Sequence, residues 1–284
     1  MTLVVDGLTV RTNRHGAPLL HDVSFAVASG SVLGVAGSSG SGKTTLLATV
    51  AGLIRPSAGR IEVAGSSARR PSLLASLVGY VPASPAVEDE LTPTEHLLFH
   101  ASLRGVPRAQ RAGLVAGLIE LIDLGDWSDV PGRRLTEGLR RRVAIARALI
   151  HDPAVVLLDD PVAGLDPSAR ADLADLLLGL ADAGRTVVVA GGDLDDFDAC
   201  LTHLAVLDAG RVTAFGPLDD VLRRADGSRQ VRVRLRDGSE QFYDVGGPDE
   251  QRRLLAHLVA DGAEIDEVGA STGISARLIT IGQP

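Results

Sequence analysis

Residues 31–36, which are apolar after Ser31, end abruptly in Gly37-Ser38-Ser39-Gly40-Ser41-Gly42-Lys43-Thr44-Thr45. Residues 44–53 then carry a helical pattern. A strand that turns through glycines into a helix gathers backbone N–H groups at a helix N-terminus, where they hold anionic oxygens. The spacing is G-x-x-x-x-G-K-[ST], the phosphate-cradling P-loop. Lys43 is the only lysine of the chain, since 27 of its 28 basic residues are arginine. A compact ammonium on a flexible stem follows phosphate oxygens, and a planar guanidinium does not replace it there. The loop amides and Lys43 are the groups expected to hold β- and γ-phosphates, and the Thr44 hydroxyl is the one offered to Mg2+.

The chain has 284 residues, 45% apolar and 23% charged, which suggests one large or two modest domains. Aromatics are 3%, so Leu, Val and Ala must build the core. A net charge of -8 argues against nucleic acid, whose binding needs a basic surface. Lone Cys200 forms no intramolecular disulfide, fits a reducing compartment, and reads as a small buried hydrophobe. No secretory leader is visible before Asp6, and no apolar stretch approaches the ~20 residues that span a bilayer. The expectation is a cytoplasmic chain that reaches a membrane only through a partner.

Along the chain, 3–5, 8–11 and 24–27 read as short strands of a meander, with turns at Asp6-Gly7 and around Gly16. Strands follow at 60–64 and 77–81. Residues 83–134 change character, with helical patterns at 93–104 and 108–122 broken by Gly105-Val106-Pro107. Thr92-Pro93-Thr94-Glu95 supplies a cap, a first-turn proline and an acid at the positive end of the first of these. After that come a helix at 137–151, a buried strand at 154–158 and a helix at 167–183. Strands are expected at 186–190, 204–207 and 211–215, and a short helix at 219–224. From 228 a strand pair and a helix at 250–261 form a small α+β module.

A second anchor is Val155-Val156-Leu157-Leu158-Asp159-Asp160-Pro161. Four apolar residues end in an acid at the C-terminal end of a strand, where α/β sites lie. Asp159 there can complete a Mg2+ shell, usually through a water.

These two anchors, with what lies between and after them, resemble the ATP-binding subunit of ABC transporters over nearly the whole chain. Leu135-Thr136-Glu137-Gly138-Leu139-Arg140-Arg141-Arg142 occupies the place of the family's L-S-G-G-Q signature and its basic helix. Ala163-Gly164-Leu165-Asp166 sits at the D-loop, and 206–211 looks like the family's closing strand and turn. The resemblance implies an α/β P-loop NTPase of ABC type, with a mixed sheet core, an N-terminal antiparallel meander and a helical subdomain inserted at about 83–134. It implies an ATP-binding domain at 1–225 and a C-terminal module at 228–284. The module is similar to the one on drug-resistance and sodium-efflux ATPases, although 272–284 lacks their closing acidic-aromatic helix. ATP and Mg2+ are the implied ligands. A transmembrane permease subunit and a second ATP-binding subunit, in a homo- or heterodimer, are the implied partners. The signature residues Leu135–Leu139 and Asp166 would then act across the dimer, and the chain would sit on the inner face of the cell membrane.

The departures from the family pattern fall on chemistry. Ala83 stands at the Q-loop glutamine, after Tyr80-Val81-Pro82, and offers no oxygen to metal or water. Asp160 replaces the catalytic glutamate and is one methylene shorter, so it is at best a weak catalytic base. Gly192 replaces the switch histidine, and Glu137 puts a carboxylate where an opposing γ-phosphate should approach. The adenine-stacking aromatic is missing near Thr12, with His15 the candidate substitute. Losing one transition-state group costs about 10²-fold or more in rate. The sequence therefore points to nucleotide binding with weak or absent hydrolysis.

Two other readings compete with transport. One is a regulatory or scaffold protein using the same fold; the other, ranked last, is an ATPase acting on nucleic acid or ribosomes. His96 and His100, four apart on one helix, have no third ligand evident in sequence and read as packed or solvated. Arg140-Arg141-Arg142 and Arg69-Arg70 read as short charge runs, the second a solvated turn.

Overall fold

The computed structural model describes residues 2–11, 17–67, 71–225, 229–235, 239–245, 248–260, 263, 265–270 and 274. Among the described residues a six-stranded sheet is central. It comprises β3 (Val32–Ala36), β6 (Val78–Val81), β7 (Val155–Asp159), β8 (Thr186–Gly191), β9 (His203–Asp208) and β10 (Arg211–Pro217). The order is β10-β9-β3-β8-β7-β6, parallel except for β10, which returns antiparallel on β9. All five residues of β3 and of β7 are buried, as in strands covered on both faces. That accounts for apolar runs without alternation.

A four-stranded antiparallel sheet packs beside it in the order β2-β1-β4-β5, from β1 (Leu3–Arg11), β2 (Pro18–Val27), β4 (Ala58–Val63) and β5 (Ser66–Ser67). Here the structure corrects the expected meander. Asp6-Gly7 is not a turn: β1 runs through it with a shifted register. Gly7 takes φ +62, and its N–H donates to Ser24 Oγ at 2.9 Å, so the irregularity is absorbed within the strand. The strand expected at 24–27 is likewise only the end of β2.

Helix α1 (Lys43–Val50) lies between the two sheets. Its Leu46, Leu47 and Val50 are buried in one cluster with Leu3 and Val23 of the first sheet and Leu33 and Leu157 of the second. Each such side chain contributes roughly 1.5–3 kcal/mol when fully buried. The P-loop is therefore clamped by core on both sides. Helix α2 (Pro71–Leu77), absent from the sequence reading, leads into β6.

The other face of the six-stranded sheet carries α3 (Pro93–Leu103), α4 (Arg108–Leu121), α5 (Glu137–Leu149) and α6 (Pro167–Asp182) around a second cluster that includes Leu97, Leu118, Val143 and Leu177. The start of α3 is as expected. Thr92 Oγ1 accepts from Glu95 N–H at 3.2 Å, and Glu95 returns the bond to Thr92 N–H at 2.9 Å. On the inner face of α3, His96 is fully buried, its ring 4.5 Å from that of His100. Burial, with His100 and Arg147 nearby, pushes its pKa down to about 4. The chain brings up an acid that the sequence did not reveal, Glu88, 3.2 Å from His96 Nδ1. Among the described residues no group of three or more His, Cys, Asp or Glu is arranged to hold a metal ion.

After α7 (Leu218–Ala225), β11 (Arg229–Leu235), β12 (Glu240–Val245), α8 (Pro248–Ala260) and β13 (Ile265–Ala270) form a separate three-stranded sheet with one helix. Its apolar centre is Val233, packed by Tyr243, Leu254 and Ile265. β13 was not anticipated. Among the described residues no helix is long and apolar enough to cross a membrane.

Candidate nucleotide site

The loop after β3 is fixed by close contacts with its surroundings. Gly37 has φ +155, and a Cβ there would lie 2.2 Å from Leu207 O and 2.6 Å from Ser41 Oγ. Only glycine fits. Ser41 N–H donates to Ser38 O at 3.1 Å, and Ser41 O accepts from Gly210 N–H at 3.0 Å. The Gly210 carbonyl in turn accepts from His21 N–H at 2.8 Å, which braces the loop against both sheets. Helix α1 begins with no side-chain cap, so the amides of its first turn are left for an anion. Ser38, Ser39, Gly40 and Thr44 are exposed, and Gly42, Lys43 and Thr45 are half-buried. Lys43 Nζ donates to Gly37 O at 2.6 Å and Ser38 O at 2.9 Å. Burial lowers its pKa, and the charges of Asp159 and Asp160 push it back up.

Asp159, at the end of β7, is 3% exposed, and its Oδ2 has no hydrogen-bond partner. Burial raises its pKa; Thr44 pulls it down, Asp160 pushes it up, and Lys43 and Tyr80 pull it down. A buried carboxylate oxygen left unpaired beside a threonine hydroxyl fits a hard divalent cation held through oxygen. The residues present therefore suit Mg2+. Tyr80 is a neighbour that the sequence did not single out, its phenol pushed to about 12 by burial and by Asp159. The only signal for it was a hydroxyl at the end of an apolar strand.

The facing rim is different. Asp160 is exposed and adopts φ +46, with its N–H donating to Ala190 O at 2.7 Å. Ala83 is exposed on the segment after β6. Gly192 is exposed after β8, and a Cβ there would meet nothing within 4 Å.

The signature and D-loop residues come together in a second cluster. A Cβ on Gly138 would lie 3.0 Å from Leu165 Cδ2, and one on Gly164 would lie 3.0 Å from Glu137 Cγ. Thr136 caps α5 by accepting from Leu139 N–H at 3.3 Å, and Asp166 caps α6 by accepting from Ala169 N–H at 3.0 Å. Leu135 is buried and Leu139 packs on the core. Glu137 lies in the first turn of α5, 3.7 Å from Arg141 Nη2, so its charge is partly answered within the chain. Arg141, in sequence only the middle of a charge run, sits one turn after Glu137 and is 2% exposed. Thr12 and His15 lie outside the described residues, as do Arg69-Arg70 and most of 272–284.

Comparison with known proteins agrees with this geometry. The ABC transporter family matches residues 20–163. The daunorubicin resistance ATP-binding protein DrrA3 of Streptomyces coeruleorubidus is 34% identical over 270 residues, covering 92% of this chain and 84% of that protein. The ATP-binding cassette sub-family A member 7 of Rattus norvegicus is also 34% identical, over 95% of this chain, but the chain spans only 12% of its length. Among solved structures, an ATP-binding subunit of an ABC transporter superposes with a TM-score of 0.71 at 25% identity, covering 91% of this chain and all of that one. With phosphate loop, buried acid, signature helix and D-loop in this order, the chain belongs to the ABC transporter family.

Proposed function

We propose that the chain is the ATP-binding subunit of an ABC transporter and that it binds ATP with Mg2+ but hydrolyses it weakly or not at all. The observation that carries this is the contrast at one site. Lys43, Thr44 and the unpaired Oδ2 of Asp159 converge, whereas Ala83 and Gly192 offer no polar side chain and a Cβ at Gly192 would meet nothing within 4 Å. Gly37, Ser38, Ser39, Gly40, Ser41, Gly42, Lys43, Thr44 and Thr45 hold the phosphates, and Thr44 and Asp159 hold the cation. When bound, the cation neutralises charge on the phosphate oxygens. Asp160 is the carboxylate placed to orient water, and its short side chain makes it a weak catalyst.

In this reading the protein comprises an ATP-binding domain at 1–225 and a C-terminal module at 228–284. It pairs head to tail with a second ATP-binding subunit, with Leu135, Thr136, Glu137, Gly138, Leu139 and Asp166 at the shared interface. The helical subdomain, around 83–104, contacts a separate permease, which places the chain on the cytoplasmic face of the membrane. Support comes from Phe99 and Leu103, one turn apart on α3 and 51% and 66% exposed. Two large apolar side chains side by side in water mark an interaction surface.

The test is calorimetric titration of the full chain with ATP in Mg2+ or in EDTA, followed by single-turnover hydrolysis with and without the membrane subunit. Binding that depends on Lys43 and Mg2+, with slow or no cleavage, is expected. Steady turnover by the isolated chain, abolished in Lys43→Ala, would overturn the weak-hydrolysis reading. Phe99→Glu should abolish co-purification with the permease and leave ATP binding intact.

A further inference from the structure

The three arginines after the signature segment read in sequence as one charge run, yet the structure sends each to a different place. Arg140 reaches the segment after β6, donating to Val87 O at 3.2 Å and Asp89 Oδ1 at 2.5 Å. Arg142 spans the end of α4 and the side of α6, donating to Ile122 O at 3.1 Å and Asp172 Oδ2 at 2.9 Å. Arg141 turns inward. Its Nη1 donates to Asp160 O at 2.9 Å, and its Nη2 donates to Ala83 O at 3.0 Å.

These two carbonyls belong to the residues at which a hydrolytic rim would carry its water-positioning groups. Burying a cation is unfavourable unless it is closely paired. The carboxylate that the structure pairs with it, Glu137, is 3.7 Å away and half exposed, and Arg141 Nε is buried without a partner. Stability therefore gives no sufficient reason for an arginine here. Geometry does: a planar fork holds two acceptors at a fixed separation. Asp160 is held from both sides in its left-handed conformation, through its N–H by Ala190 and through its carbonyl by Arg141. Arg141 stands on α5, whose first turn contains Glu137 and Gly138. A displacement of the backbone at 83 or 160 is passed to the signature segment through one rigid helical turn.

We propose that Arg141 is a positioning residue that couples the chain's own nucleotide site to its signature segment. A change at the rim of one ATP site is thereby felt by the surface presented to the opposite site. The inference rests on reading 37–45 and Asp159 as an ATP site, and it does not require that ATP be hydrolysed. Ala83 and Asp160 take part through their carbonyls, which survive any change of side chain. The coupling therefore persists where the cutting groups have been lost.

The experiment is amide hydrogen exchange on the full chain, with and without ATP and Mg2+, on wild type and Arg141→Lys, with ATP affinity measured on the same samples. Lysine keeps the buried cation but lacks the fork that bridges both carbonyls. In wild type, ATP should change exchange at 83–84, 158–161 and 136–141 together. In Arg141→Lys, ATP should still bind within about threefold, while the response at 136–141 falls about fivefold or more. Arg142→Lys, which leaves both carbonyl contacts intact, should keep that response. A merely structural role would alter basal exchange and leave the ATP-induced difference unchanged, and that result overturns the proposal. If Arg141→Lys does not fold, wild type still decides: a response at 158–161 without one at 136–141 refutes the coupling. No ATP binding by wild type refutes the nucleotide reading itself, and calorimetry alone reports it.

Discussion

The two sides of the nucleotide site are built by different means. On the gripping side, loop geometry is locked by backbone: Gly37 lies against the Leu207 carbonyl, Ser41 is bonded to Gly210, and α1 is wedged between two sheets. On the opposite side, Ala83, Asp160 and Gly192 are exposed at the ends of β6, β7 and β8. Changing the first side disturbs the core. Changing the second touches little else, and exposed substitutions are usually within about 0.5 kcal/mol of neutral. The phosphate loop is thus tied to the core, whereas side chains on that rim can change without disturbing it.

The strongest test of this contrast is restoration. Ala83→Gln, Asp160→Glu and Gly192→His together should raise single-turnover hydrolysis by roughly 10²-fold or more. No gain would show that the rim lacks more than side chains. Next is Lys43→Ala, which should cost about 1.5–3 kcal/mol of ATP binding, roughly 10- to 150-fold in affinity by titration. Unchanged affinity would remove the grip from the comparison. A paired glycine experiment follows: Gly37→Ala should destabilise by about 1–3 kcal/mol in urea unfolding. Gly192→Ala, with open space around its Cβ, should stay within about 0.5 kcal/mol.

The last prediction concerns pH. Burial raises the folded pKa of Asp159 above 3.8, so the folded state prefers the protonated acid. That contribution to stability is complete below about pH 4 and is lost as pH rises through the folded value. Asp159→Asn should therefore raise Tm at pH 7, with the gain fading toward pH 4, and should remove the Mg2+-dependent part of ATP binding. An unchanged Tm at pH 7 would mean that Asp159 is not the strained carboxylate of the site.

What could be read from sequence follows from how local each feature is. The P-loop, the buried strand before Asp159 and the capped start of α3 depend on neighbours within a few residues, and they were legible. β1 was misread because Gly7 marks a turn locally, while pairing with β2 and β4 carries the strand past it. Arg141 was read only as one of a run of three on the signature helix, for a related reason. An arginine between two others is solvated by any local rule, and only the folded chain brings the carbonyls of Ala83 and Asp160 to it. Glu88 reaches His96 by a turn that no periodicity shows. The open space around a Cβ at Gly192 is likewise set by distant parts of the chain and shows only in the folded protein.

The side chain of Lys43, folded back on Gly37 O and Ser38 O, is also the chain's only side-chain amine. Acylating reagents thus have a single side-chain target, and a lysine-specific protease has a single bond to cut, inside the loop itself. Protection of that one amine or that one bond gives a direct titration of site occupancy in a mixture. It requires no engineered label and no turnover, so it reads binding apart from hydrolysis.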